Sequence, residues 1–224
     1  VLLPFSMAPN VGDTFDIEET MGSGATIQTE YDRMRSHPLL LNVRFIVRPA
    51  SASEPGAIYQ DSAWKIYENP DAVPRAWLVH QTTVEPVDSN LWNRLPASGA
   101  EARQLALLAE PLESSLDAAP PATDAEHANY GRPGAGQLEV DVHSTGRALL
   151  VLSELFYPGW KAEVNGRPVK ILQVDGALRG VVVPRGDSRV SMHYIPVSFY
   201  AGLTLTIAAF LCGGFAGFKL KRAL

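Results

Sequence analysis

The chain has 224 residues and a formal net charge of −5, which excludes an overall basic field for holding nucleic acid. Its 46% hydrophobic and 19% charged residues are the proportions of a globular protein and exclude a disordered chain. One cysteine, Cys212, excludes an intramolecular disulfide, and 18 glycines with 17 prolines favour turn-rich β structure over long helices.

The sequence opens Val1-Leu2-Leu3-Pro4, with neither methionine nor the basic head and cleavage site of a signal peptide, so a fragment of a longer protein is expected. Thr29 followed by Asp32 resembles a capping box and predicts a short helix carrying Tyr31 and Met34 and ending near Pro38. Val43, Phe45 and Val47 then alternate with arginines as a strand, and residues 51–57 form a loop. Trp64–Tyr67 and Ala76–His80 read as two more strands joined by a Pro-containing turn over 68–74. Residues 101–109 fit a helix by composition or a strand centred on 105–108, and periodicity does not decide between them. Together, residues 1–112 form a small α+β portion. Residues 113–136, rich in Ala, Pro, Gly and Asp, read as a loop or linker.

Residues 137–196 carry the clearest signals. Leu138, Val140 and Val142 alternate with Glu139, Asp141 and His143. Residues 148–152 are an unbroken apolar run suited to a strand buried on both faces. Turn signals recur at Asn165-Gly166, Asp175-Gly176 and Arg185-Gly186-Asp187, with strand-like runs between them. The expected arrangement is an antiparallel meander forming part of a β-sandwich.

Residues 197–218 carry no charge and predict a transmembrane helix after Pro196, with Phe199 and Tyr200 at one interface. Lys219, Lys221 and Arg222 follow at once, so residues 219–224 form a cytoplasmic tail and the globular part lies outside the cytoplasm. The complete expectation is a mainly β, antiparallel β-sandwich-like protein with a small α+β N-terminal part and one C-terminal transmembrane helix.

Candidate sites are few. The five histidines are scattered, which argues against a metal site, and no cofactor motif or catalytic constellation is visible. The Met21–Ala25 stretch is too short for a phosphate-binding loop and lacks its lysine. Tyr157 and Trp160 of a Tyr-Pro-Gly-Trp turn offer aromatic faces to a sugar, although the alternation around Trp160 points it into the core. Glu68 and Arg75, with Asn69 between them, form either a polar site or a rigid turn whose arginine pairs with a carboxylate. Arg179, in an otherwise apolar strand, either reaches an anion or pairs with Glu154 or Glu163. Arg185-Gly186-Asp187 spells an adhesion tripeptide that hairpins also produce by chance.

Five segments resemble, in order and spacing, the C-terminal region of YfhO-like bacterial membrane proteins. They are LLLNVRFIV (39–47), IYENPDAVPRAWLV (66–79), LSELFYPGWKAEVNGRPVKI (152–171), LRGVVVPRGDSRVSMHYIPVSF (178–199) and the apolar run that follows. The resemblance implies a polytopic protein similar to GT-C glycosyltransferases, which move a sugar from a lipid-linked donor in building cell-envelope polymers. In that architecture the catalytic acid and the donor-binding loops belong to an N-terminal transmembrane bundle outside this sequence, so no residue here inherits a catalytic role. The expected partners are the membrane, through the one spanning helix, that bundle of the same protein, and a glycan or lipid-linked sugar. The leading expectation is therefore a non-catalytic extracytoplasmic accessory domain in the bacterial cell membrane. The alternative is a single-pass surface domain that binds glycan or another envelope protein. A third possibility, a structural lid, predicts a large exposed apolar patch.

Overall fold

The computed structural model describes residues 18, 20, 29–88, 90–119, 125–196 and 198–210. In the N-terminal half, a helix α1 (Thr29–Met34) precedes β1 (Phe45–Pro49), β2 (Tyr59–Gln60) and β3 (Trp64–Glu68). Next come β4 (Ala76–Val79), β5 (Gln81–Val84), a 3-10 turn (Leu91–Asn93), α2 (Gly99–Gln104) and β6 (Leu105–Leu108). The second half contributes β7 (His127–Gly134), β8 (Gln137–Ser144), β9 (Ala148–Leu155), β10 (Trp160–Val164) and β11 (Arg167–Val169). It ends with β12 (Leu172–Val174), β13 (Leu178–Val183) and β14 (Gly186–Tyr194).

The strands form three sheets, ordered β1-β3-β2, β11-β10-β14-β8-β7 and β4-β9-β13-β12-β6-β5. Alternation decides how the two larger sheets meet. Leu138, Val140, Val142, Ala162, Val164, Val190 and Met192 project from one sheet, and Ala148, Leu150, Leu152, Val181 and Val183 from the other, into a single buried cluster. The opposite face of the six-stranded sheet is buried too. There Trp77, Val79, Leu149 and Val151 pack with Met34, Leu91 and Ala102 from the helical segments. Buried on both sides, β9 has no polar residue from Ala148 to Leu152, as its position requires.

Several expectations are corrected. The anticipated spanning helix over 197–218 is not found: among the described residues no helix is long and apolar enough to cross a membrane. The described helical residues there, 198–210, are exposed. Residues 211–224, with Cys212 and the basic tail, lie outside the described residues, as does the Met21–Ala25 stretch. Hydropathy reads the composition of a run and does not by itself fix its fold.

The antiparallel expectation also fails at one place, because β5 and β6 pair in parallel through the α2 crossover. A meander within one sheet is not what residues 137–194 form. Consecutive strands pass between sheets at β8–β9, β9–β10, β11–β12 and β13–β14, so of the three turn signals the Asn165-Gly166 and Asp175-Gly176 turns close hairpins and Arg185-Gly186-Asp187 does not. Both turns hold positive φ at both residues, 52° and 74° in the two-residue loop between Val164 and Arg167 and 48° and 80° in the three-residue loop between Val174 and Leu178. Inside the expected loop of 113–136, residues 127–134 form β7. Its Gly131 and Pro133 hid the alternation of Ala128 and Tyr130, and proline is tolerated because β7 is an edge strand. Residues 101–109 hold both alternatives in succession, with Ser98 capping α2 through Glu101 N–H at 3.2 Å before the chain extends into β6.

Candidate functional site

At one end of the sandwich the core gives way to charge. The inward rows of β9 and β13 continue past Leu152 and Val181 into Glu154 and Arg179, so a carboxylate and a guanidinium occupy the space between the sheets. A bulge places them there. Leu178 pairs with Leu155 but Arg179 pairs with Leu152, which leaves Ser153 and Glu154 as additional residues on β9. Ser153 turns the other way and donates to Leu40 O at 2.9 Å.

Glu154 is the hub. Its Oε1 accepts from Tyr130 Oη at 2.6 Å and from Arg132 Nη2 at 2.8 Å, and its Oε2 accepts from Arg179 Nη2 at 3.2 Å. Arg75 Nη1 stands 3.6 Å from Oε1, while Arg75 Nη2 pairs with Glu18. Three guanidiniums thus face two carboxylates. The Arg179 side chain is only 3% exposed, and its Nε and Nη1 are buried with no hydrogen-bond partner among the described residues. One face of that guanidinium lies 3.9 Å from the Trp160 ring centroid, so a cation–π contact takes the place of part of the lost hydration. Burial lowers the Arg179 pKa from its ordinary value, against the opposing pull of Glu154. Burial also raises the Tyr130 phenol, and its bond to the Glu154 carboxylate raises it further.

An aromatic row continues outward from Trp160. Its ring centroid lies 5.7 Å from that of Tyr194, and Tyr194 lies 6.2 Å from Tyr157. Tyr157 is 46% exposed and Tyr194 is 37% exposed, so two phenol faces look outward beside the arginine cluster. Two turns hold this edge: Gly136 O accepts from Tyr194 N–H and Gly159 O accepts from Ile195 N–H, both at 2.8 Å. Gly159 sits at φ 101°, and a Cβ there would fall 2.8 Å from the Tyr194 ring, so the approach requires glycine. A cavity of about 220 Å³ opens beside Arg75 and Glu154, walled by Tyr31, Ser153 and Thr20.

Of the residues singled out by sequence, the structure gathers Arg75, Trp160, Arg179 and Tyr157 at this end. Glu68 lies elsewhere, exposed at the end of β3 in the three-stranded sheet, opposite Phe45. Asn69 serves the backbone, its Nδ2 donating to Val43 O at 2.9 Å. Sequence reasoning missed Tyr130, Arg132 and Tyr194. The inward alternation of β14 pointed to Tyr194, while nothing local identified Arg132.

A second polar group lies at the opposite end of β8. His80 Nε2 is 3.1 Å from Glu126 Oε2, and Glu126 Oε1 accepts from Thr145 N–H, Thr145 Oγ1 and Ser144 Oγ. Both hydroxyls bond the carboxylate rather than the imidazole, so the order nucleophile–base–orienting group is absent and the cluster serves as a staple. The Glu154 cluster is equally unsuited to acid–base catalysis. It offers fixed guanidiniums and aromatic faces, chemistry suited to holding an anion or a ring rather than to moving a proton.

No curated protein and no solved structure matches the chain. Residues 125–206 match the model of a family described as bacterial membrane protein YfhO. That stretch runs from β7 through β14 into the helical residues 198–210 and contains Tyr130, Arg132, Glu154, Tyr157, Trp160, Arg179 and Tyr194. Over that stretch, little more than a third of its length, the chain is similar to the YfhO family of bacterial membrane proteins.

Proposed function

We propose that this chain is the extracytoplasmic accessory domain of a polytopic, glycosyltransferase-like YfhO protein, and that the arginine–aromatic end of its sandwich meets a glycan or lipid-linked sugar at the mouth of the membrane-embedded part. The domain contributes recognition and carries no catalytic residue. The observation behind this reading is the pair of outward-facing phenols, Tyr157 and Tyr194, set beside three arginines at the point where the chain leaves the sheet for residues 198–210. Aromatic faces suit the apolar faces of pyranoses, and guanidiniums suit the anionic groups of envelope polymers and lipid-linked donors.

The test uses the full protein in its own cells. An epitope inserted at the Asn165-Gly166 turn, where an added Cβ at Gly166 meets nothing within 4 Å, is expected to bind antibody on intact cells. Tyr157→Ala with Tyr194→Ala is expected to lower incorporation of labelled sugar into the envelope at unchanged protein level. Antibody binding only after permeabilisation would overturn the placement, and unchanged incorporation would overturn the recognition role.

A further inference from the structure

The two large sheets are unequal at one side. The five-stranded sheet ends at the three-residue β11, whereas the six-stranded sheet continues past β12 to β6 and β5. The overhang leaves a groove of about 820 Å³ between them, within the range that holds small-molecule ligands. Val164 and Val169 line it from the smaller sheet, Leu172 and Val182 from the larger, and Leu112 from the segment after β6. Two guanidiniums, Arg147 and Arg167, line the same groove.

Their electrostatic situation differs from that of the Glu154 cluster. Arg75, Arg132 and Arg179 each pair with a carboxylate within 4 Å, whereas the guanidiniums of Arg147 and Arg167 form no ion pair among the described residues, the Asp117 carboxylate being held instead by the Arg147 backbone N–H at 2.6 Å. Arg147 Nε is buried and has no hydrogen-bond partner there. Lys170, which also lines the groove, is already paired with Glu110 at 2.7 Å. Glu113 is the one carboxylate lining the groove, so positive charge prevails. A buried donor left without an acceptor is costly, and an anion between two guanidiniums would satisfy it through charge-assisted bonds.

We infer that this groove is a binding site for an anionic amphiphile. A phosphate or carboxylate head is held by Arg147 and Arg167, and an apolar chain lies on Val164, Leu172 and Val182. The site is separate from the arginine–aromatic end and does not depend on the accessory role proposed above.

Dodecyl phosphate, kept below its micellar concentration, is titrated into the full chain by calorimetry, with inorganic phosphate and dodecanol as parallel titrants. The expected result is saturable binding of dodecyl phosphate, with each fragment of it binding far more weakly. Arg167→Glu changes an exposed edge residue without touching packing and is expected to weaken binding about tenfold or more. Arg147→Gln is expected to do the same, with its fold checked by thermal melting. If it fails to fold, Arg167→Glu alone decides. Undiminished binding in Arg167→Glu overturns the inference. So does inorganic phosphate or dodecanol binding as tightly as dodecyl phosphate, since that would mark a simple anion site or an apolar cleft.

Discussion

Replacing Asp175 by asparagine should remove a specific pH dependence of stability. Asp175 opens the β12–β13 turn at φ 48° and is wholly buried, with Oδ1 accepting from Leu107 N–H at 2.9 Å and Oδ2 unpartnered. Burial pushes its carboxyl up from the usual 3.8 to about 7, opposed only in part by the Leu107 bond. Between those values the folded state holds a proton that the unfolded state has released, so stability falls as pH rises. The contribution is complete below about pH 4 and lost above about pH 7. A shift of about three units at 1.36 kcal/mol each sets an upper bound of about 4 kcal/mol. Asparagine keeps the Oδ1 acceptor and tolerates the left-handed turn, but has no charge to desolvate. Urea unfolding followed by tryptophan fluorescence, at half-unit steps from pH 4.5 to 8, reads the effect, since Trp92 packs over the adjacent Gly176. The midpoint difference between Asp175→Asn and the parent should widen toward high pH by about 1–2 M, given a slope of about 2 kcal/mol/M. Parallel midpoint curves for the two proteins would refute the argument.

Glu154→Gln keeps the shape of the hub but leaves three arginines facing Glu18 alone, and should cost about 3 kcal/mol, because removing one side of a mostly buried ion network strands the other. A denaturation midpoint within error of the parent would contradict that estimate. Glu126 behaves oppositely to Asp175. Burial raises its pKa, but the Thr145 and His80 bonds together exceed that effect and lower it, so its stabilisation is present above its ordinary value of 4.5 and lost as pH falls through the lowered one. Glu126→Gln should therefore flatten the acid limb of the stability curve, as read by urea unfolding on the acid side of neutrality.

Much of this architecture was legible locally, and what was missed is non-local. The Asn165-Gly166 and Asp175-Gly176 hairpins and the alternation in β8, β10 and β14 can be read within ten residues, because turn chemistry and side-chain period act at that range. Which sheet each strand joins depends on contacts across the whole chain, so the crossings between sheets were invisible. Sequence offered Glu154 as one of two partners for Arg179, since one-residue alternation places both inward. It gave no sign of Arg132, whose edge strand is interrupted by glycine and proline. The apolar run from residue 197 shows the converse failure, a strong compositional signal without a matching continuous helix among the described residues.

The place of β14 has a consequence for the order of assembly. The strand nearest the carboxyl end sits between β10 and β8, near the middle of its sheet rather than at an edge. On a ribosome, β7–β8 and β10–β11 would emerge as two separate strand pairs, and the strand that joins them into one sheet would be missing until β14 arrived. Such late, long-range closure predicts slow maturation and a nascent chain dependent on chaperones, with stalled or truncated products aggregating instead of stopping at a stable partial fold.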